Sequence, residues 1–199
     1  MTHALTYLKA RGGYATMQEM KRAAIQTREI AKLLKDGEIE KIRPGLYRLA
    51  NYPKSVPFRA TLIDVCQAMP RGVICLLSAL DFHELTTFNP SEVYVAIPHA
   101  QKPRQVRYPP IRSFFFRERF YSPGIVQVET RSGTIKVYNK EKTICDMFRY
   151  RKKIGENLAL EALKNYLRGK GSNIKKLHQY AVICRVKTII VPYIKAMVS

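Results

Sequence analysis

Arg28, Lys32 and Lys35 sit in one short stretch, Thr27-Arg28-Glu29-Ile30-Ala31-Lys32-Leu33-Leu34-Lys35. Wound as a helix at about 100° per residue, the three cations fall within roughly 60° of one another. Ile30, Leu33 and Leu34 then share the opposite side. A cationic stripe with an apolar back can neutralise phosphates and donate to guanine edges in a major groove. Thr27 begins the stretch, where its hydroxyl can cap the helix and lie near a nucleic-acid backbone. The plain alternative is a solvated face, because amphipathic helices ordinarily carry lysine on their wet side.

A second set of cations follows. Glu38-Ile39-Glu40-Lys41-Ile42-Arg43 alternates polar and apolar residues, Pro44-Gly45 turns the chain, and Leu46-Tyr47-Arg48-Leu49 alternates back. That pattern predicts a β-hairpin. Lys41, Arg43 and Arg48 on it would reach the backbone or minor groove beside a bound helix. Upstream, Thr16-Met17-Gln18-Glu19 reads as a capping box. Met20, Ala23 and Ala24 then supply an inward face, and Gln26 lies in the turn before the next helix. The order of helix, turn, helix and hairpin predicts a winged helix-turn-helix over residues 1–52. Such modules bind DNA or serve only as protein-interaction domains.

The rest of the chain must carry its own function. Lys and Arg outnumber Asp and Glu by 35 to 15, a formal net charge of +20, so polyanionic partners are expected. The excess is largest in residues 121–199, with sixteen basic and five acidic side chains. Tyr52-Pro53-Lys54-Ser55-Val56-Pro57 reads as a linker, and residues 53–199 as a mixed α+β domain with a small antiparallel sheet and several helices. A helix is expected over Phe58 to Met69. Val73 to Leu77 is strand or buried helix, and Ser78 caps a short helix through Leu85. Strands are expected over 92–98 and 111–116, and a hairpin over 125–130 and 134–138. Helices are expected near 140–151, 156–168, 173–183 and 185–198, with Pro192 kinking or restarting the last.

Arg104, Arg107, Arg112, Arg117 and Arg119 interleave with Tyr108, Phe114, Phe115, Phe116, Phe120 and Tyr121. Cations among aromatics can stack single-stranded nucleic acid. The favoured reading is a strand with phenylalanines in the core and solvated arginines. Arg149-Tyr150-Arg151-Lys152-Lys153 and Lys175-Lys176 extend a basic surface. Val186, Ile189, Ile190, Tyr193, Ile194 and Met197 form a core face, with a dimer seam as the alternative.

Catalysis is not expected. His3, His83, His99 and His178 form no metal-ligand spacing, and no phosphate-binding or nucleophile-elbow motif is present. Acidic residues are too scattered for a two-metal site. No metal or cofactor is therefore expected. Cys66, Cys75, Cys145 and Cys184 lie in apolar runs outside any Cys-x-x-Cys pair, which fits a reduced, cytoplasmic protein. No leader or membrane span is legible.

Three places resemble AbiEi-type antitoxins, the regulator half of bacterial type IV toxin–antitoxin and abortive phage-infection systems. The first is Ile42-Arg43-Pro44-Gly45-Leu46-Tyr47-Arg48-Leu49. The second is Leu77-Ser78-Ala79-Leu80-Asp81-Phe82-His83-Glu84-Leu85-Thr86, followed by Val93-Tyr94-Val95-Ala96-Ile97-Pro98. The third is Lys140-Glu141-Lys142-Thr143-Ile144-Cys145-Asp146-Met147, with Lys142 where relatives tend to carry Arg. The resemblance implies an N-terminal domain that binds inverted repeats in its own promoter and represses the operon. It implies a C-terminal domain that neutralises a nucleotidyltransferase-like toxin without a stable complex. Duplex operator DNA would be the direct partner, and the protein a monomer in solution or a dimer on DNA. The alternative is an RNA-binding or protein-interaction module acting through the basic C-terminal domain.

Overall fold

The computed structural model describes residues 2–51, 57–100, 106, 109–130 and 133–198, with backbone alone for 57–60. Residues 52–56 of the expected linker 52–57, Arg104, Arg107 and Tyr108, and the turn residues Arg131 and Ser132 lie outside the described residues, and Pro57 already belongs to a helix. The chain divides into two compact units. One comprises Met1–Pro70, Arg104–Pro110 and Glu129–Ile135, and the other the remaining segments. The first unit thus continues past residue 52.

In the first unit, α1 (His3–Ala10), β1 (Tyr14–Thr16), α2 (Met17–Arg22), α3 (Thr27–Lys35), β2 (Ile39–Arg43), β3 (Leu46–Leu49) and α4 (Pro57–Ala68) follow in order. The three strands form an antiparallel sheet in the order β1-β3-β2. Ala15, Ile39 and Tyr47 pack with Ala4, Leu8, Met20, Ile25, Ile30 and Leu33 into one core. Successive strand residues face opposite sides, so Tyr14, Ile42, Leu46 and Arg48 point away from that core. They are buried all the same. On their side Asp64 of α4 takes the hydroxyl of Tyr14 and the guanidinium of Arg48. Side chains on both faces of the sheet are therefore buried, while Glu40 and Lys41 on β2 stay exposed.

The expected capping box is present. Thr16 Oγ1 accepts from the Glu19 N–H at 3.1 Å, and the Thr16 N–H donates to Glu19 Oε2 at 2.8 Å. Two expectations here are corrected. Ala24 does not face inward: it is exposed, with φ +58°. Its N–H donates to Lys21 O and that of Ile25 to Met20 O, which closes α2 with the reversed turn usually made by glycine. The cap of α3 is Gln26, not Thr27, and no side chain caps it. Thr27 is already the first helical residue.

The second unit holds β4 (Val73–Ile74), α5 (Leu76–Phe82), β5 (Val93–Pro98), β6 (Ile111–Phe116), α6 (Glu118–Tyr121), most of β7 (Ile125–Thr130) and half of β8 (Gly133–Tyr138). Helices α7 (Lys140–Ile154), α8 (Glu156–Arg168), α9 (Ile174–Ile183) and α10 (Lys187–Val198) complete it. The sheet order is β6-β5-β4-β8-β7. The expected antiparallel sheet is corrected to a mixed one: β5 pairs β6 in parallel and β4 pairs β8 in parallel, while β4 and β5 are antiparallel. The connection 99–110 is long enough to carry the chain back for a parallel pairing.

Ser78 does not cap α5. Cys75 does so by position, and the Ser78 hydroxyl accepts from the Tyr94 N–H at 2.9 Å. Helix α10 spans Pro192 within one element rather than restarting there. Val186, Ile190 and Ile194 are buried with the helices, which supports the core reading of that face.

Candidate nucleic-acid interface

Helix α3 carries the expected division. Ile30 and Leu33 are buried, Leu34 packs partly against the core, and Arg28, Lys32 and Lys35 are exposed. Among the described residues none of the three cations forms an ion pair. Arg28 Nη2 reaches only its neighbour Gln26 Oε1, at 3.4 Å. The acidic residue on the helix is turned to other use. Glu29 Oε1 accepts the Ala4 N–H at 2.9 Å, satisfying a free donor in the first turn of α1. The exposed face of α3 therefore keeps its positive charge uncompensated. Thr27 is exposed at the start of that face.

The hairpin cations behave in three different ways. Lys41 is exposed on β2. Arg43 is half-buried, with Nε donating to Ala68 O at 3.1 Å and Nη1 to Pro44 O at 2.9 Å. Arg48 departs from its expected role as a wing contact. Its side chain is 9% exposed and is held by Asp64 and Glu40. The reason is register: Arg48 is opposite Tyr14 on β1 and Glu40 on β2, on the face that α4 covers. Burial disfavours the charged guanidinium, but the Asp64 charge and the Glu40 hydrogen bond outweigh it and hold its pKa above the usual value. Burial raises the Asp64 carboxyl despite its bonds to Tyr14 and Arg48. Arg48 is thus a structural cation.

A cleft of about 430 Å³ lies between α2 and the hairpin turn, lined by Thr16, Met17, Gln18, Lys21, Arg43 and Gly45. The Met17 N–H donates to Gly45 O at 2.9 Å, which ties the turn to the start of α2. Gln18 and Lys21 on that cleft are not among the site residues picked out from the sequence. Their exposure beside a hairpin turn has no signal in local periodicity.

This arrangement places an exposed cationic helix next to a tethered hairpin within residues 3–49. Residues 4–50 match the family described as transcriptional regulator, AbiEi antitoxin. The match covers α1 from Ala4, α2, α3 and the hairpin, stops short of α4, and supports a regulatory, antitoxin role for an AbiEi-like module. None of the curated proteins compared matches the chain.

Outside that module the aromatic–arginine segment resolves as a core strand. Phe114, Phe116 and Phe120 are buried, Phe115 is 45% exposed, and Arg112, Arg117 and Arg119 are exposed. Lys142, from the third stretch of the resemblance, is completely buried. Its ammonium pairs with Asp146 and lies 4.3 Å from the centre of the Tyr138 ring. Burial raises the Asp146 carboxyl, against the pull of Lys142. His83 ends α5, and its Nε2 lies 2.7 Å from Tyr138 O. Among the described residues no group of His, Cys, Asp and Glu could hold a metal ion. No described helix is long and apolar enough to cross a membrane.

Proposed function

We propose that this protein is an AbiEi-type antitoxin whose first unit is a winged helix-turn-helix that represses its own operon. Helix α3 enters the major groove of an inverted-repeat operator. Arg28 reads base edges, Lys32 and Lys35 neutralise phosphates, and Thr27 lies near the backbone. Lys41 and Arg43 flank the site from the hairpin. The second unit relieves the toxicity of a nucleotidyltransferase-like partner without a stable complex. The observation that carries this reading is the face of α3, where three exposed cations have no acidic partner among the described residues and stand back to back with Ile30 and Leu33. The family match over residues 4–50 supports it.

The test is a mobility-shift assay with the duplex upstream of the protein's own reading frame. Arg28→Ala with Lys32→Ala should abolish discrimination between that duplex and random DNA. Unchanged operator affinity would remove α3 from the interface. A second reading, an RNA-binding or interaction module in the second unit, draws on the charge excess of residues 121–199. Separate binding of each unit to duplex DNA and to tRNA distinguishes the two.

A further inference from the structure

The second unit gathers four arginines in one place, two of them over a single phenylalanine ring. Phe120 is buried at 2% exposure in the short helix α6. The guanidinium of Arg149, from α7, lies 3.7 Å from the centre of its ring, and that of Arg119 lies 4.5 Å from it. Arg149 Nη1 also donates to Cys184 O at 3.2 Å, at the end of α9. The next residue is Arg185. Arg117 precedes α6 and stands two residues from Arg119. All four side chains are exposed, and none forms an ion pair among the described residues.

The nearby carboxylates are engaged elsewhere. Glu118 accepts from the Ser122 hydroxyl, and Asp146 is buried against Lys142 and Cys184. The cluster thus concentrates like charge without an internal counterion. Desolvation, and after it the charges of Arg185, Arg117 and Arg149, makes Arg119 hold its proton less tightly than usual. Arg185 adds a second oddity. It sits at φ +58° in the turn that closes α9, its N–H bonded to Val182 O, with the next N–H bonded to Ala181 O. Glycine is the usual residue in that turn. A long cationic side chain is held there against the backbone preference.

We propose that Arg117, Arg119, Arg149 and Arg185 form a second polyanion site, in the second unit, for the phosphodiester backbone of nucleic acid. Arginine suits it because the planar guanidinium can fork onto phosphate oxygens, and packing on Phe120 fixes the plane in advance. No base-reading group is required. The site therefore binds independently of sequence, and its strength depends on salt through released counterions. It does not rest on the α3 reading.

The test uses the full chain carrying Arg119→Gln and Arg185→Gly. The first side chain is solvent-exposed and the second change suits the backbone, so the thermal melt should be retained. Fluorescence anisotropy is read with a random 20-base-pair duplex and with a single-stranded 20-nucleotide RNA across a salt series. The expected result is a log–log salt slope lower by about two on the preferred probe, with the slope restored by Arg119→Lys and Arg185→Lys. The probe that shows the change identifies which nucleic acid the site takes. Slopes unchanged on both probes overturn the proposal. Weakening confined to a polyglutamate competitor assigns the cluster to an acidic protein and overturns it as well. Arg28→Ala with Lys32→Ala, measured in parallel, should remove operator discrimination while leaving this contribution in place, so the two sites fail separately.

Discussion

Asp64 on α4 accepts the Arg48 guanidinium of β3 through one carboxylate oxygen and the Tyr14 hydroxyl of β1 through the other. One side chain thereby joins a helix to two strands of the hairpin sheet. Removing a partner from a buried ion pair strands the remaining charge, at a cost of about 3–5 kcal/mol. Glu40 still holds Arg48, so Asp64→Ala should fall at the lower end, about 3 kcal/mol by urea denaturation. Replacing both members, Asp64→Leu with Arg48→Met, should recover most of the loss. An equal loss in the double variant would mean that the pair itself, rather than an uncompensated charge, sets the stability.

Lys41 and Arg48 lie on adjacent strands of one hairpin, yet DNA should feel only the first. Lys41→Ala should lower the salt slope of duplex binding by about one and weaken all sequences alike. Arg48→Met paired with Asp64→Leu should leave that slope unchanged, since Arg48 is inside the unit. Anisotropy titrations at several salt concentrations compare the two directly.

These hairpin residues also mark where the sequence was legible. The Thr16–Glu19 box and the two-sided α3 rest on partners three or four residues apart, and both were readable. Arg48 was not, because its partner lies sixteen residues on, in a helix beyond the expected domain boundary. Periodicity says which residues share a face but not how many faces are covered. The same blindness hid the parallel pairings of β4 with β8 and β5 with β6, which depend on where distant strands meet. Helix α6 spans four residues, too short for any period to register. The arginine cluster was invisible for a related reason: Phe120, Arg149 and Arg185 come together only through packing.

Gly124 and Gly45 should respond very differently to an added methyl group. Both have left-handed backbone, with φ +85° and +76°. At Gly45 a Cβ meets nothing within 4 Å, so Gly45→Ala should cost only the backbone penalty, about 1–2 kcal/mol. At Gly124 a Cβ would stand 2.8 Å from Lys142 Cβ and 3.2 Å from Tyr180 Cε1. Lys142 is immobilised by Asp146 and two aromatic rings, so it has no room to yield. Gly124→Ala should therefore be the more destabilising by at least about 1–3 kcal/mol of overpacking. Paired thermal melts give the difference.

His83 should make stability fall in mild acid. Burial lowers its pKa from 6.5, only partly offset by the bond to Tyr138 O. The folded state then keeps the ring neutral while the unfolded chain takes up a proton. More protons bind to the unfolded state in this window, so stability rises with pH across it. The contribution is present in full above about pH 6.5 and is lost as pH falls from there toward the lower folded value. Urea titrations from pH 7.5 to 5.0 should show this slope, and His83→Gln should flatten it. A slope unaltered by the substitution would place the titrating group elsewhere.

The cysteines turn burial into a clock. Cys66 belongs to the first unit, and Cys75, Cys145 and Cys184 to the second; all four are shielded from solvent. Burial pushes the Cys75 thiol up, and a thiol–thiol hydrogen bond with Cys184 together with burial does the same for Cys145. Such thiols are poor nucleophiles until water reaches them. A thiol reagent added to the native chain thus labels only molecules that have opened. In a variant retaining Cys66 alone, the labelling rate times the opening of the hairpin unit; in one retaining Cys145 alone, it times that of the helical unit. The chain carries its own pair of stopwatches, one for each half.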